Sequence, residues 1–328
     1  MNLKRKILKR QKRRTKMTNI FNKKNIKPML LREADPFNDE NFIFELKLDG
    51  IRCLAYLDNN KTILRNKRNK DVTITYPELK NIHKQANKKC IIDGELIALT
   101  NNKPDFFKLQ RRSLLGNKLK IKYTARLNPI QFVAYDIIFF DDENIMNLPL
   151  IKRKEILENN IKDSKRIVKS RFIEKKGIDF FELAKKEGLE GIIAKRKDSL
   201  YREKVRSYDW LKIKVMQEED VVICGFTLKK GKIKDLILGQ YDDKELVYTG
   251  KIYFGISRFD NKTIKNFAKN NSFEKPIFNI KKKNVTWLKP ELVGTIKYMH
   301  KTKSGGLRQP VFKGLRDDKQ AKDCVVRK

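Results

Sequence analysis

The stretch FELKLDGIRC, residues 44–53, decides how the rest of the chain is read. With the preceding Phe42 and Ile43 it alternates. Phe42, Phe44, Leu46 and Leu48 take one set of positions, and Ile43, Glu45, Lys47 and Asp49 take the other. Asp49-Gly50 is a two-residue turn signal, so the pattern predicts a hairpin with Arg52 just beyond its turn. One face of that hairpin carries an acid, an amine and another acid. Alone, such a face reads as a solvated strand, because charge runs usually face water.

The same chemistry recurs on other strand-like stretches. Asp93 and Glu95 share a face in IIDGELIAL (91–99), Glu190 precedes Lys195 in LEGIIAKR (189–196), and Trp210, Lys212 and Lys214 share a face in DWLKIK (209–214). Two carboxylates can hold Mg²⁺, several cations can neutralise phosphates, and a lysine on a neighbouring strand can attack a nucleotide's α-phosphate. A free lysine is protonated near pH 7, so crowding by Arg52, Lys195, Lys212, Lys214 and a metal would favour the neutral nucleophile.

Composition supports a phosphate-bearing partner. The 328 residues include 77 Lys and Arg against 40 Asp and Glu, a net charge of +37, which suits a polyanion whose counterions leave on binding. Lys and Asn are abundant throughout, and that bias also loads lysines onto solvated faces. No run is long and apolar enough for a membrane span or a secretory signal, which points to a cytoplasmic protein without a membrane role. Cys53, Cys90, Cys224 and Cys324 are widely spaced, as are His83 and His300, which argues against a zinc cluster or a histidine triad and for packing roles.

Residues 1–17, MNLKRKILKRQKRRTKM, hold no acid and read as a flexible basic arm, either a tether to phosphates or an extension ahead of a start at Met17. From 18 to 215, strand patterns such as TILRN (62–66) and IQFVAYDIIFF (130–140) alternate with the helical patterns PELKNIHKQANK (77–88) and PLIKRKEILENNI (149–161). This predicts a mixed α/β domain with antiparallel hairpins. Past VMQEED (215–220), short strands such as VVICGFTL (221–228) and DLILGQY (235–241), with a helical NKTIKNFAKN (261–270), predict a small β-barrel over 216–328. No Gly-rich phosphate loop of either common type is present in the sequence.

The ordered set KLDGIR (47–52), RNKDVT (68–73), IDGEL (92–96), FVAYDII (132–138), EGIIAK (190–195), WLKIK (210–214) and RQPVFKGLRDDK (308–319) resembles the ATP-dependent DNA ligases. PVFKGLRDDK and LPLIKRKEIL (148–157) resemble the bacterial end-joining branch, whether as the ligase module of ligase D or as a stand-alone enzyme. The resemblance implies an α+β nucleotidyltransferase domain, ATP-grasp-like, with antiparallel sheets, followed by an OB-fold domain. It implies that Lys47 forms a lysyl-AMP from ATP and that Glu45 and Leu46 lie at the adenine side. Arg52, Arg68 and Arg206 would bind phosphate or ribose, Tyr135 would stack on adenine, and Glu95 and Glu190 would hold Mg²⁺ or Mn²⁺. Lys195, Lys212 and Lys214 would surround the α-phosphate, while Arg308, Arg316, Asp318 and Lys319 would act from a mobile second domain.

Two departures from the family pattern bear on this. Lys67 and Lys70 stand where a serine and a glycine are usual around Arg68, and EKV replaces a Pro-Gly pair ahead of Arg206 and Ser207. The implied substrate is nicked or broken duplex DNA, bound by a monomer. With no room for a further helical DNA-binding domain before residue 18, a Ku-like end-binding partner is expected. The rival readings are an RNA ligase, an mRNA-capping enzyme using GTP, and a catalytically dead nucleic-acid-binding relative.

Overall fold

The apolar runs form strands, and most of these are buried on both faces. In this computed structural model residues 19–282, 284–302 and 306–326 are described, and the chain divides into two units meeting at Val215 and Met216. The basic arm expected at 1–17 lies outside the described residues.

In the first unit, β1 (Leu30–Glu33), β2 (Asp39–Leu46), β8 (Phe172–Lys175), β9 (Gly191–Arg196) and β10 (Arg206–Lys214) form one sheet in the order β1-β10-β9-β2-β8. A second sheet runs β7-β6-β5-β3-β4, from β3 (Ile51–Leu57), β4 (Thr62–Asn66), β5 (Cys90–Ile97), β6 (Gln131–Phe140) and β7 (Ile167–Lys169). Pairing is antiparallel except at two edges, where β1 runs parallel to β10 and β7 parallel to β6.

The sheets meet face to face. Ile43 and Trp210 from the first pack with Leu54, Tyr56 and Ile91 from the second, along with Tyr201 and Met29. The outer face of the second sheet carries Ala55, Ile92 and Phe132 under Leu79, Ile82 and Leu157. The outer face of the first carries Phe44, Ala194 and Leu211 under Ala184.

This arrangement corrects the hairpin reading of residues 44–53. Strand β2 pairs with β8 and β9, whereas β3 pairs with β4 and β5, so Lys47-Leu48-Asp49-Gly50 crosses from one sheet to the other. The charged face of β2 points between the sheets and not into solvent, and Glu45 is only 2% exposed. Local alternation carries no information about which sheet each half joins, and the Asp-Gly signal looks the same in a hairpin and in a crossover.

A second correction concerns PELKNIHKQANK, which forms the 3₁₀ turns Pro77–Leu79 and Ile82–Gln85 in place of an α-helix. Its buried Leu79 and Ile82 are three residues apart, a spacing that suits the tighter helix. The other helical stretch is borne out as α4 (Leu150–Asn160). Four helices of the first unit went unread: α1 (Asn19–Lys23), α2 (Phe106–Ser113), α3 (Lys118–Leu127) and α5 (Gly177–Lys186).

The second unit is an antiparallel OB-type sheet built on β11 (Gln217–Lys229), β12 (Lys232–Asp242) and β13 (Glu245–Ile252). Strand β11 also pairs with β14 (Val285–Leu288) and with β15 (Val293–Tyr298), which in turn pairs with β16 (Val311–Arg316). The helix α6 (Arg258–Ala268) starts on a capping box made by Ser257 and Asp260. All four cysteines are buried free thiols, and His83 is buried against Thr62.

Candidate active site

Lys47 lies on the crossover, held by its own backbone. Its N–H donates to the Gly191 carbonyl at 2.9 Å, fixing the link to the start of β9. Gly191 has φ +138°, and a Cβ there would meet the Ile213 carbonyl oxygen at 2.1 Å. Gly50 is needed for a different reason. A Cβ there would meet the Leu96 carbonyl at 2.4 Å and the Glu95 side chain at 2.6 Å, so only glycine lets the crossover pass this close to Glu95.

The Lys47 ammonium contacts the Glu190 carboxylate, with side chains 17% and 7% exposed. Glu95 belongs to the same group of charges. Burial pushes its carboxyl up to about 8, with Arg52 and Lys47 opposing the rise and Asp93 and Glu190 adding to it. Burial also lowers Lys214, helped by Lys212 and Lys47 and resisted by Glu33 and Glu190. Glu33 Oε2 lies 3.4 Å from Lys212 Nζ and 3.8 Å from Lys214 Nζ. Lys47, Glu95, Glu190, Lys212 and Lys214 are thus brought together from the crossover and from strands of both sheets.

Behind this cluster stand two tighter networks. Arg52 donates to both Asp93 oxygens, at 3.0 and 2.5 Å, and to the Met29 carbonyl at 2.5 Å, while the Tyr201 hydroxyl donates to Asp93 at 2.7 Å. Glu45 contacts Lys154 and lies 2.5 Å from Lys195 Nζ. Burial alone would raise Glu45, but the two lysines outweigh it and hold the carboxyl below its ordinary value. Burial lowers Lys195 against the pull of Glu45. Its ammonium sits 4.3 Å from the Tyr135 ring centre and 4.4 Å from that of Trp210, so Tyr135 forms a wall of the same region.

The remaining sites are dispersed. Leu46, 36% exposed, ends β2. Arg68 is exposed in the turn after β4, where the Asn66 side chain accepts from its backbone N–H, and Arg206 is exposed at the start of β10. Neither makes an ion pair among the described residues. Arg308, Arg316, Asp318 and Lys319 lie in the second unit. There Arg316 grips Asp318 with two hydrogen bonds of 2.7 and 2.6 Å, holding that carboxyl down at about 2, and Lys319 contacts Asp220.

Sequence reading missed Lys154, Tyr201 and Glu33 altogether, and it paired Asp93 with Glu95 without finding its role. For Lys154 the only signal was an excess of lysines on a helix that must bury one face, which a lysine-rich chain conceals.

The donor set of Glu95 and Glu190 fits a magnesium or manganese ion. Both ligands are hard oxygen, and Glu190 adds to the rise that burial imposes on Glu95, a repulsion that a divalent ion would relieve. Among the described residues no group of three or more ligands gathers, so phosphate oxygens and water would complete the shell.

Comparison with known proteins agrees with this geometry. Residues 9–214 match the family described as ATP dependent DNA ligase domain, and residues 229–319 match ATP dependent DNA ligase C terminal region. The chain is 29% identical over 311 residues to the multifunctional non-homologous end joining protein LigD of Mycolicibacterium smegmatis, covering 91% of this chain and 39% of that protein. It is 34% identical over 206 residues to the SPbeta prophage-derived DNA ligase-like protein LigB of Bacillus subtilis, covering 62% of this chain and 73% of that one. A solved structure, mycobacterial DNA ligase D complexed with ATP and MES, is 28% identical with a TM-score of 0.55, covering 93% of this chain and 99% of that one. The chain therefore spans about two fifths of the length of the first curated relative. These matches favour DNA ligation over RNA ligation or capping.

Proposed function

The chain belongs to the ATP-dependent DNA ligase family, and from that premise we propose that it seals DNA strands through an adenylate carried on Lys47 Nζ. The observation that carries this reading is the meeting of Lys47, Glu190, Glu95 and Lys214 at a crossover whose Gly50, with Gly191 on the adjoining β9, admits close backbone approach.

An ammonium held by a carboxylate is not a nucleophile, so the Lys47–Glu190 contact has to open and the ammonium has to lose a proton. Lys47 Nζ then attacks the α-phosphorus of ATP. The N–P bond forms as the bond to the pyrophosphate oxygen breaks, and pyrophosphate leaves. Lys212 and Lys214 neutralise the equatorial oxygens, and Tyr135 supplies a face for the base. A divalent ion held by Glu95 and Glu190 would add Lewis-acid stabilisation of phosphate charge and relieve the repulsion between these carboxylates. The AMP next passes to a DNA 5′-phosphate. The neighbouring 3′-hydroxyl attacks that phosphate, AMP is expelled, and the backbone is closed.

The reading extends to end joining, with a Ku-like end-binding protein as partner, action as a monomer and a bacterial cytosolic setting. The name of the mycobacterial relative and the net charge of +37 support it. No helix among the described residues is long and apolar enough to cross a membrane. Arg308, Arg316, Asp318 and Lys319 take the role of orienting the pyrophosphate during self-adenylation. Incubation with ATP, Mg²⁺ and a singly nicked duplex should yield the joined strand. Joining only with GTP, or only of nicked RNA, would refute the reading.

A further inference from the structure

The helix α3 carries a feature that strand sealing does not use. Between Asp105 and Asp136 the chain has seven Lys or Arg residues and no acid. Within it, Leu119, Tyr123 and Leu127 recur at i, i+4 and i+8 and are 78%, 65% and 60% exposed. Lys118, Lys122 and Arg126 run beside them as a second exposed stripe, and none makes an ion pair among the described residues.

This orientation is built in. The opposite face of the helix, Ile121 and Ala125, is buried. Buried Arg112 donates to Thr124 Oγ1 at 2.8 Å and to the Ile121 carbonyl at 3.3 Å, and it grips Glu78 at 2.9 and 3.1 Å. The Asn117 side chain caps the first turn by accepting from Leu119 and Lys120. The helix cannot roll its apolar stripe inward without breaking this clamp.

We propose that this face docks an acidic, amphipathic helical segment of a partner protein. The apolar stripe spans about 12 Å at the rise of an α-helix, enough for two turns of a facing helix. The cationic stripe beside it complements acids that flank a partner's apolar seam. A DNA backbone would use the cations and leave three large apolar side chains against phosphate and water. A second copy of this chain would bring one acid-free face against another and be repelled.

The test uses the full chain and a synthetic helical peptide of about 20 residues, with Leu at i, i+4 and i+8 and Glu on the flanking positions. Binding is read by fluorescence anisotropy at about 150 mM salt. We expect the triple variant Leu119→Ser, Tyr123→Ser, Leu127→Ser to bind the peptide about tenfold more weakly or worse, and a peptide with its leucines changed to serine to be weakened likewise. Self-adenylation and nicked-DNA affinity should stay unchanged. In a separate Tyr123→Trp variant the peptide should shift the introduced tryptophan's emission to the blue, and nicked DNA should not. Equal affinity for both peptides, or no binding of either, would overturn the proposal. So would a blue shift driven by DNA, or a self-association that the triple serine variant abolishes.

Discussion

Two ion pairs of the first unit are built in opposite ways. Arg153 on α4 grips Asp136 on β6 through two hydrogen bonds of 2.9 and 2.8 Å, with further bonds to the Leu148 and Ser199 carbonyls at 2.5 and 3.0 Å. Both side chains are 0% exposed. Lys47 and Glu190 meet in an ion pair that is partly open to solvent, beside a carboxyl that burial has raised. The first pair has its donors and acceptors spoken for and cannot rearrange without leaving a buried charge alone. In the proposed reaction the second exchanges its partner for a phosphate or a metal ion. Where each charge's bonds end separates scaffold from chemistry better than charge alone.

The contrast can be broken most sharply at Lys47. Lys47→Ala should abolish labelling by α-labelled ATP while leaving stability within about 1 kcal/mol of the parent, measured by denaturant unfolding. Arg153→Ala should do the reverse, destabilising the first unit by about 3–5 kcal/mol by stranding Asp136. A mild effect there would mean that the pair is not the scaffold described.

Acid should sharpen the contrast through Glu45, another locked group. Its folded pKa lies below the ordinary 4.5, so its share of stability is present above that value and is lost as pH falls through the lower, folded one. A Glu45→Gln variant should therefore show a flatter loss of stability in that acid window than the parent. Glu190→Gln should slow self-adenylation by about 10²-fold with little change in unfolding. The smallest effect belongs to Tyr201→Phe, about 1–3 kcal/mol, because Asp93 keeps its two bonds from Arg52 while the Met29 N–H loses its acceptor. An activity loss without that destabilisation would move Tyr201 from scaffold to chemistry.

Much of the proposed site was legible because its charges fall on or beside strands whose alternation is local. Glu95 with Asp93, and the pair Lys212 and Lys214, could be found by counting every second residue, whereas Glu190, just ahead of its strand, stood out through the EGIIAK motif. The locked networks could not be found in that way. Lys154 reaches Glu45 across 109 positions and Tyr201 reaches Asp93 across 108, and chain separation of that kind leaves no periodic trace.

The fold shows the same split. The change from α/β to all-β composition near Gln217 marks a boundary in the residues themselves, and the units part at Val215 and Met216. The sheet assignment of β2 depends on pairing with segments more than a hundred residues away, whereas β3 pairs with the nearer β4 and β5, and no turn signal encodes that difference. Short α2, with eight residues, gave too few turns for its period to register.

The most direct measurement is the chemical location of the adenylate. Protein incubated with ATP and Mg²⁺, digested and examined by mass spectrometry, should carry AMP on the Lys47 side chain as an acid-labile phosphoramidate. AMP found on another residue, or persisting on the Lys47→Ala variant, would contradict the account.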